Sequence, residues 1–274
     1  MSSSIFISIF IFKESLMPIV TNGSCRIYWR GDGDTTLPAL VLGNSLGTDH
    51  SLWDPMLHAL MQDFYVVRYD MRGHGGSEAP QGDYSLAQLT DDAQAVIAAA
   101  RLSSYDFWGI SLGGMVGMEL AARKPPGLRH VVLSNTAAEF DAGIWDARMA
   151  ALKQGGMPAI IDGVIGRFFT PDFVAKNTIE LKRVRNTALS HAAHGYAGCC
   201  GAIRDMDLYP RLANIQVPAL VVVGDYDLST PLARGQALVD RIKGAKLAMV
   251  PSAHIPPTEI PEQYLKTVLP FLKS

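Results

Sequence analysis

Short apolar runs alternate along the chain with longer stretches in which apolar residues recur every three or four positions. The runs at 26–29, 39–42, 64–69, 105–108, 128–133, 219–223 and 246–250 predict strands. Leu86, Leu89, Ala93, Val96 and Ile97 fall at helical spacing and predict a helix over 86–100. The same period predicts helices over 112–122, about 231–241 and 262–272. Strands alternating with helices imply an α/β fold with a mostly parallel central sheet flanked by helices. Residues 138–207 break the rhythm. Their helical patterns are punctuated by Gly155-Gly156, Pro158, Gly163 and Pro171, and they contain no convincing strand. They read as a helical lid set into one core made of 17–137 and 208–274.

The first sixteen residues differ from the rest. Ile5 to Phe12 is apolar but far short of the ~20 residues a bilayer span needs. No basic segment precedes it, as a signal peptide would require. Met17-Pro18-Ile19-Val20 reads as the natural start, so 1–16 is expected to be a non-native or mis-started extension.

Composition narrows the classes. Apolar residues make up 48% and charged residues 18%, which excludes disordered, collagen-like and disulfide-scaffold proteins. Lys and Arg number 24 against 26 Asp and Glu, so no basic footprint marks a nucleic-acid partner. No membrane partner is expected either. The cysteines are only Cys25, Cys199 and Cys200, which fits a reducing cytoplasm. Neither a C-x-x-C pair nor an H-E-x-x-H helix occurs, so no metal site is expected.

Candidate chemistry centres on Gly109-Ile110-Ser111-Leu112-Gly113. This G-x-S-x-G pattern is weak alone, but a predicted strand enters it and a predicted helix leaves it. A serine at such a turn is held in a strained conformation with its hydroxyl exposed at the sheet edge. It needs a base, and His254, just after the last predicted strand, would stand on the same edge. His74 is the rival and reads as a structural turn residue. His191 and His194 read as solvated lid residues. The base needs a carboxylate, and Val223-Gly224-Asp225-Tyr226-Asp227 offers two, with Asp227 preferred over Asp225. Ser111, Asp227, His254 is the chain order of α/β-hydrolases. The oxyanion hole is expected from the backbone N–H groups of Leu112 and of Leu46 in Gly43-Asn44-Ser45-Leu46-Gly47.

Longer stretches carry a resemblance. Gly43-Asn44-Ser45-Leu46-Gly47-Thr48-Asp49, Arg72-Gly73-His74-Gly75, the serine turn extended to Met115, and Ser134-Asn135-Thr136-Ala137-Ala138 together resemble the 3-oxoadipate enol-lactonases. So do Arg167-Phe168-Phe169-Thr170 and Gly195-Tyr196-Ala197 in the lid. The likeness runs from about Met17 to the C-terminus. The serine turn and the Arg-Gly-His-Gly loop are common to many α/β-hydrolases, whereas Asn44-Ser45 and 134–138 are more specific. Ile255-Pro256-Pro257-Thr258 departs from the usual stretch after the histidine. The resemblance implies the α/β-hydrolase fold and opening of a small acidic enol-lactone in aromatic degradation, with no cofactor. An acidic substrate calls for a cationic anchor, expected from Arg167, with Arg148 or Arg204 behind it and Trp145 walling the pocket. Other readings on the same scaffold are a carboxylesterase, a C–C bond hydrolase, a perhydrolase, or a ligand receptor with little turnover.

Overall fold

The computed structural model describes residues 18–274. The apolar run at 5–12 and the proposed start at Met17 lie outside the described residues. Eight strands form one sheet: β1 (Ile19–Asn22), β2 (Cys25–Asp32), β3 (Ala39–Gly43), β4 (Tyr65–Tyr69), β5 (Tyr105–Ile110), β6 (Leu128–Ser134), β7 (Ala219–Gly224) and β8 (Lys246–Val250). Their spatial order is β1-β2-β4-β3-β5-β6-β7-β8. The β1–β2 and β2–β4 pairs are antiparallel and all others parallel. Every expected strand is present, several of them longer at the carboxyl end. Strand β1 was not expected. Its signal is the Gly23-Ser24 turn, where Gly23 takes φ +60° so that Asn22 can pair with Cys25.

The helices are α1 (Asp54–Leu60), α2 (Leu86–Ala99), α3 (Leu112–Ala122), α4 (Ala142–Gly155), α5 (Ile161–Phe168), α6 (Pro171–Ala175), α7 (Ile179–Ser190), α8 (Ala193–Arg204), α9 (Leu232–Val239), α10 (Pro256–Glu259) and α11 (Pro261–Leu272). Helix α2 starts where it does because Ser85 and Gln88 cap each other's backbone N–H groups. No described helix is long and apolar enough to cross a membrane.

Strands β3, β4, β5 and β7 are buried along their whole length because both faces are covered, while β6 leaves Arg129 and His130 half-buried. Successive residues feed opposite cores. Val41, Phe107, Leu133 and Val221 pack toward α2 and α3, while Leu42, Trp108, Val132 and Val222 pack toward α1 and α11. Helices α4 to α8 form a single insertion between β6 and β7. Trp145, Leu152 and Tyr196 join the first core, whereas Ile161, Ile165, Phe168 and Leu181 join the second. The strand order reverses between β3 and β5, which are neighbours with β4 on the far side of β3. The crevice beyond the carboxyl ends of strands at such a reversal is where α/β sheets bind ligands.

Candidate active site

Ser111 occupies that reversal, between the end of β5 and the start of α3, with φ 54° and ψ −115°. A non-glycine residue in this region is strained and must be held from outside. Ser111 N–H donates to Ser134 O at 2.9 Å, and Thr136 Oγ1 donates to Ser111 O at 2.8 Å. The flanking glycines are required by contact. A Cβ on Gly109 would lie 2.1 Å from Gly113 O, and one on Gly113 would lie 2.2 Å from Gly43 O. The turn and the β3 loop therefore touch backbone to backbone, and Gly113 N–H donates to Asn44 O at 2.9 Å.

Asp227 lies in the turn after β7 and is buried. Its Oδ1 accepts from Ser229 N and Thr230 N, and its Oδ2 accepts from Thr230 Oγ1 at 2.5 Å. His254 Nδ1 stands 2.7 Å from the same Oδ2. Asp225 is exposed, and of the two carboxylates it is Asp227 that meets the imidazole. Burial alone would raise the Asp227 carboxyl, but the charge and hydrogen bond of His254, with the Thr230 bonds, outweigh it and hold it below the usual value. An acceptor at Nδ1 places the ring proton there and leaves Nε2 as a base. Ser111 and His254 line one cavity of about 330 Å³. Among the described residues no hydrogen bond joins the Ser111 hydroxyl to the ring. Such bonds often tighten only when substrate arrives.

Asn135 had no assigned role in the sequence motif 134–138. At φ 45°, its Nδ2 donates to Ala253 O and His254 O at 3.0 Å each, and its Oδ1 accepts from Gly224 N at 2.9 Å. It therefore binds the loop carrying Asp227 to the loop carrying His254. Glu259 Oε2 accepts from Ala253 N at 2.9 Å, and its Oε1 accepts from Thr170 N at 3.1 Å. Ile255 N–H donates to Phe168 O at 3.1 Å, and the Phe168 ring stacks on His254 with centroids 5.8 Å apart. His254 is thus tied to the helical insertion as well as to the core.

The loop after β3 is braced by Asn44, whose Nδ2 donates to Tyr69 O at 2.7 Å and whose Oδ1 accepts from Trp53 Nε1 at 2.8 Å. Leu46 and Leu112 are buried, and among the described residues neither backbone N–H has a protein acceptor. His74 is structural, as expected: its Nε2 accepts from Gly47 N at 3.0 Å, which requires the neutral ring. Burial, helped by His191, pushes His74 down to about 3. The expectation for His191 is corrected. It is buried rather than solvated, packs 4.6 Å from the His74 ring, and accepts from Gly75 N at 3.3 Å. Its position at the α7–α8 junction places it against the Arg72–Gly75 loop. His194 is held to Ala79 O at 2.9 Å.

Trp145, Arg148 and Arg167 all line the cavity with Ser111 and His254. Among the described residues neither arginine has a carboxylate partner. Arg148 lies over the Trp145 ring at 4.6 Å. Burial and the nearby charge of Arg148 both pull the Arg167 guanidinium down from its usual value. Arg204 is a correction: it does not line the cavity but points outward to Asp83, Asp146 and Asp205. Arg234 on α9 was missed. It lines the cavity, its guanidinium 4.6 Å from the Phe140 ring centroid. Asp49, His50 and Asp70 each bring a polar atom within 4.8 Å of the others, but the Asp70 oxygens are engaged by His50 N, His50 Nδ1 and Gly76 N, so the group braces a loop. A larger cavity of about 940 Å³ lies at the opposite strand ends, beside Trp29 and Ala39, and holds neither serine, acid nor base of this set.

Residues 38–259 match a family model described as alpha/beta hydrolase fold. The chain is 32% identical to 3-oxoadipate enol-lactonase 2 of Acinetobacter baylyi, over 97% of this chain and 98% of that protein. It is 29% identical to a putative carbamate hydrolase RutD of Rhizobium rhizogenes, over 86% of this chain and 92% of that protein. Among solved structures, the enol-lactonase from Burkholderia xenovorans LB400 superposes with a TM-score of 0.91 at 38% identity, covering 94% of this chain and all of the other.

Proposed function

The chain belongs to the α/β-hydrolase family, and on that premise we propose that it is a serine hydrolase opening a small acidic enol-lactone, 3-oxoadipate enol-lactone, to 3-oxoadipate. The observation that carries the acidic substrate is the pair of arginines without carboxylate partners, Arg148 and Arg167, in the same cavity as Ser111 and His254. Burial first, and then the charge of Arg148 beside it, disfavour the Arg167 cation, and a substrate carboxylate would relieve both. The Trp145 indole would wall the acidic end.

In this reading Ser111 Oγ attacks the lactone carbonyl while His254 Nε2 takes its proton, and Asp227 stabilises the imidazolium. The Leu46 and Leu112 amides hold the oxyanion. The C–O bond of the ring breaks toward an enolate, a better leaving group than an alkoxide, and the proton held on His254 Nε2 passes to that enolate as it departs, which returns the ring to its neutral form. Both halves of the opened ring stay on Ser111 as one acyl-enzyme. His254 then activates water, the ester bond to Ser111 is hydrolysed, and ketonisation of the product opposes re-closure.

The test follows the ultraviolet absorbance of freshly generated 3-oxoadipate enol-lactone. Wild type should clear it and Ser111→Ala should not. Clearance by the variant at the wild-type rate would remove the nucleophile. Clearance of neutral esters but not of the lactone would leave a carboxylesterase. The carbamate hydrolase relatives make a small carbamate the other substrate to include.

A further inference from the structure

Ser45 is 1% exposed, and its Oγ has no hydrogen-bond partner among the described residues. Buried hydroxyls are normally paired, because leaving one unpaired costs stability that alanine would not. The loop does not use this one. The Ser45 carbonyl is engaged by Thr48 N at 3.1 Å and Thr48 Oγ1 at 2.8 Å, which fixes the turn through the backbone instead. Ser45 lines the catalytic cavity with Ser111 and His254. It also immediately precedes Leu46, whose N–H is likewise without a protein acceptor.

The hydroxyl of one residue and the N–H of the next branch from the same Cα, so both can meet one acceptor. As placed, Ser45 Oγ is closed off from the cavity, so a turn about its one side-chain torsion is what would bring the hydroxyl to that acceptor. A carbonyl oxygen has two lone pairs, which the Leu46 and Leu112 amides suffice to fill. The tetrahedral oxyanion has three.

We propose that Ser45 Oγ–H is a third donor of the oxyanion hole, engaged only once Ser111 has added to the carbonyl. The proposal rests on Ser111 as nucleophile but not on the identity of the lactone. No bond to Ser45 forms, and its proton remains on Oγ. An interaction made in the transition state and absent from the ground state raises kcat and leaves KM alone.

The experiment uses p-nitrophenyl acetate as substrate and phenylboronic acid as a tetrahedral mimic, with Ser45→Ala, Ser45→Gly and Ser111→Ala. Both Ser45 variants should lose roughly 10- to 100-fold in kcat, with KM within about twofold. Their affinity for phenylboronic acid should fall in parallel. The thermal midpoint of Ser45→Ala should hold or rise, whereas a merely structural hydroxyl would lower it. Wild-type kcat in both variants overturns the proposal, and so does a loss of kcat with unchanged boronate affinity. If Ser111→Ala hydrolyses the ester at the wild-type rate, the nucleophile assignment falls and this proposal with it.

Discussion

Helix α3 buries every one of its residues, whereas α4 buries only Trp145 and Leu152, yet both wall the same cavity. The difference follows from what each must do. Helix α3 holds Ser111 in a strained turn by close backbone contacts through Gly109 and Gly113, so nearly every position on it is constrained by packing. Helix α4 has only to lay one face against the core and present Trp145 and Arg148. Its exposed face is free to vary. Under the proposed function, the core would fix the reaction and the insertion would choose among substrates.

The largest effect expected from this division is on the core side. Asp227→Asn should keep the fold but lower kcat by roughly 10⁴-fold, because an amide can hold the imidazole in the wrong tautomer and cannot stabilise its charge. The loss should be equal for an acidic lactone and a neutral ester, and steady-state kinetics on both substrates would show it. A loss confined to one substrate would break the division.

An intermediate effect is expected in the insertion. Arg148→Ala and Arg167→Ala should each raise KM for the acidic lactone roughly 10- to 100-fold, the worth of one charge-assisted bond. KM for the neutral ester should stay put. Arg204→Ala, whose charge is already met by Asp83, Asp146 and Asp205, should change neither. Equal KM changes for both substrates would remove the anchor.

The smallest effect is expected at the seam, where His74 of the core packs on His191 of the insertion. A ring protonating near 6.5 in the unfolded chain and near 3 when folded takes up its proton on unfolding, so stability falls as pH drops between those values. His191, lowered by burial, adds in the same direction. His74→Gln should therefore lose less stability than wild type between pH 7 and pH 5, by up to about 2 kcal/mol, read from urea unfolding at each pH. Identical slopes would show that the ring is not held neutral.

The legible parts of the sequence share one property: their constraints are local. Ser111 sits in a Gly-x-Ser-x-Gly turn between an apolar run and a helical pattern, and Asp227 and His254 sit within four residues of short apolar runs that read as strands. Most strands were visible for the same reason. The insertion hides its logic in the roll of each helix about its axis. Arg148 and Arg204 look alike as a sequence, yet one faces the cavity and the other faces carboxylates. One signal was available. Asp205 directly follows Arg204, while Arg148, Arg167 and Arg234 have no acidic residue three or four positions away. His191 was misread because its partners, His74 and Gly75, lie more than a hundred residues earlier. Asn135 stands within the 134–138 motif, but its bonds to two distant loops need the sheet to be assembled first.

The bond from Ile255 N–H to Phe168 O has a consequence for engineering. The insertion is not a detachable module: together with the Glu259 contacts to Thr170 and Ala253, that bond makes it part of the scaffold that aims the imidazole. A chimera that grafts a foreign segment between β6 and β7 would have to restore an acceptor for Ile255 before it could inherit any turnover at all.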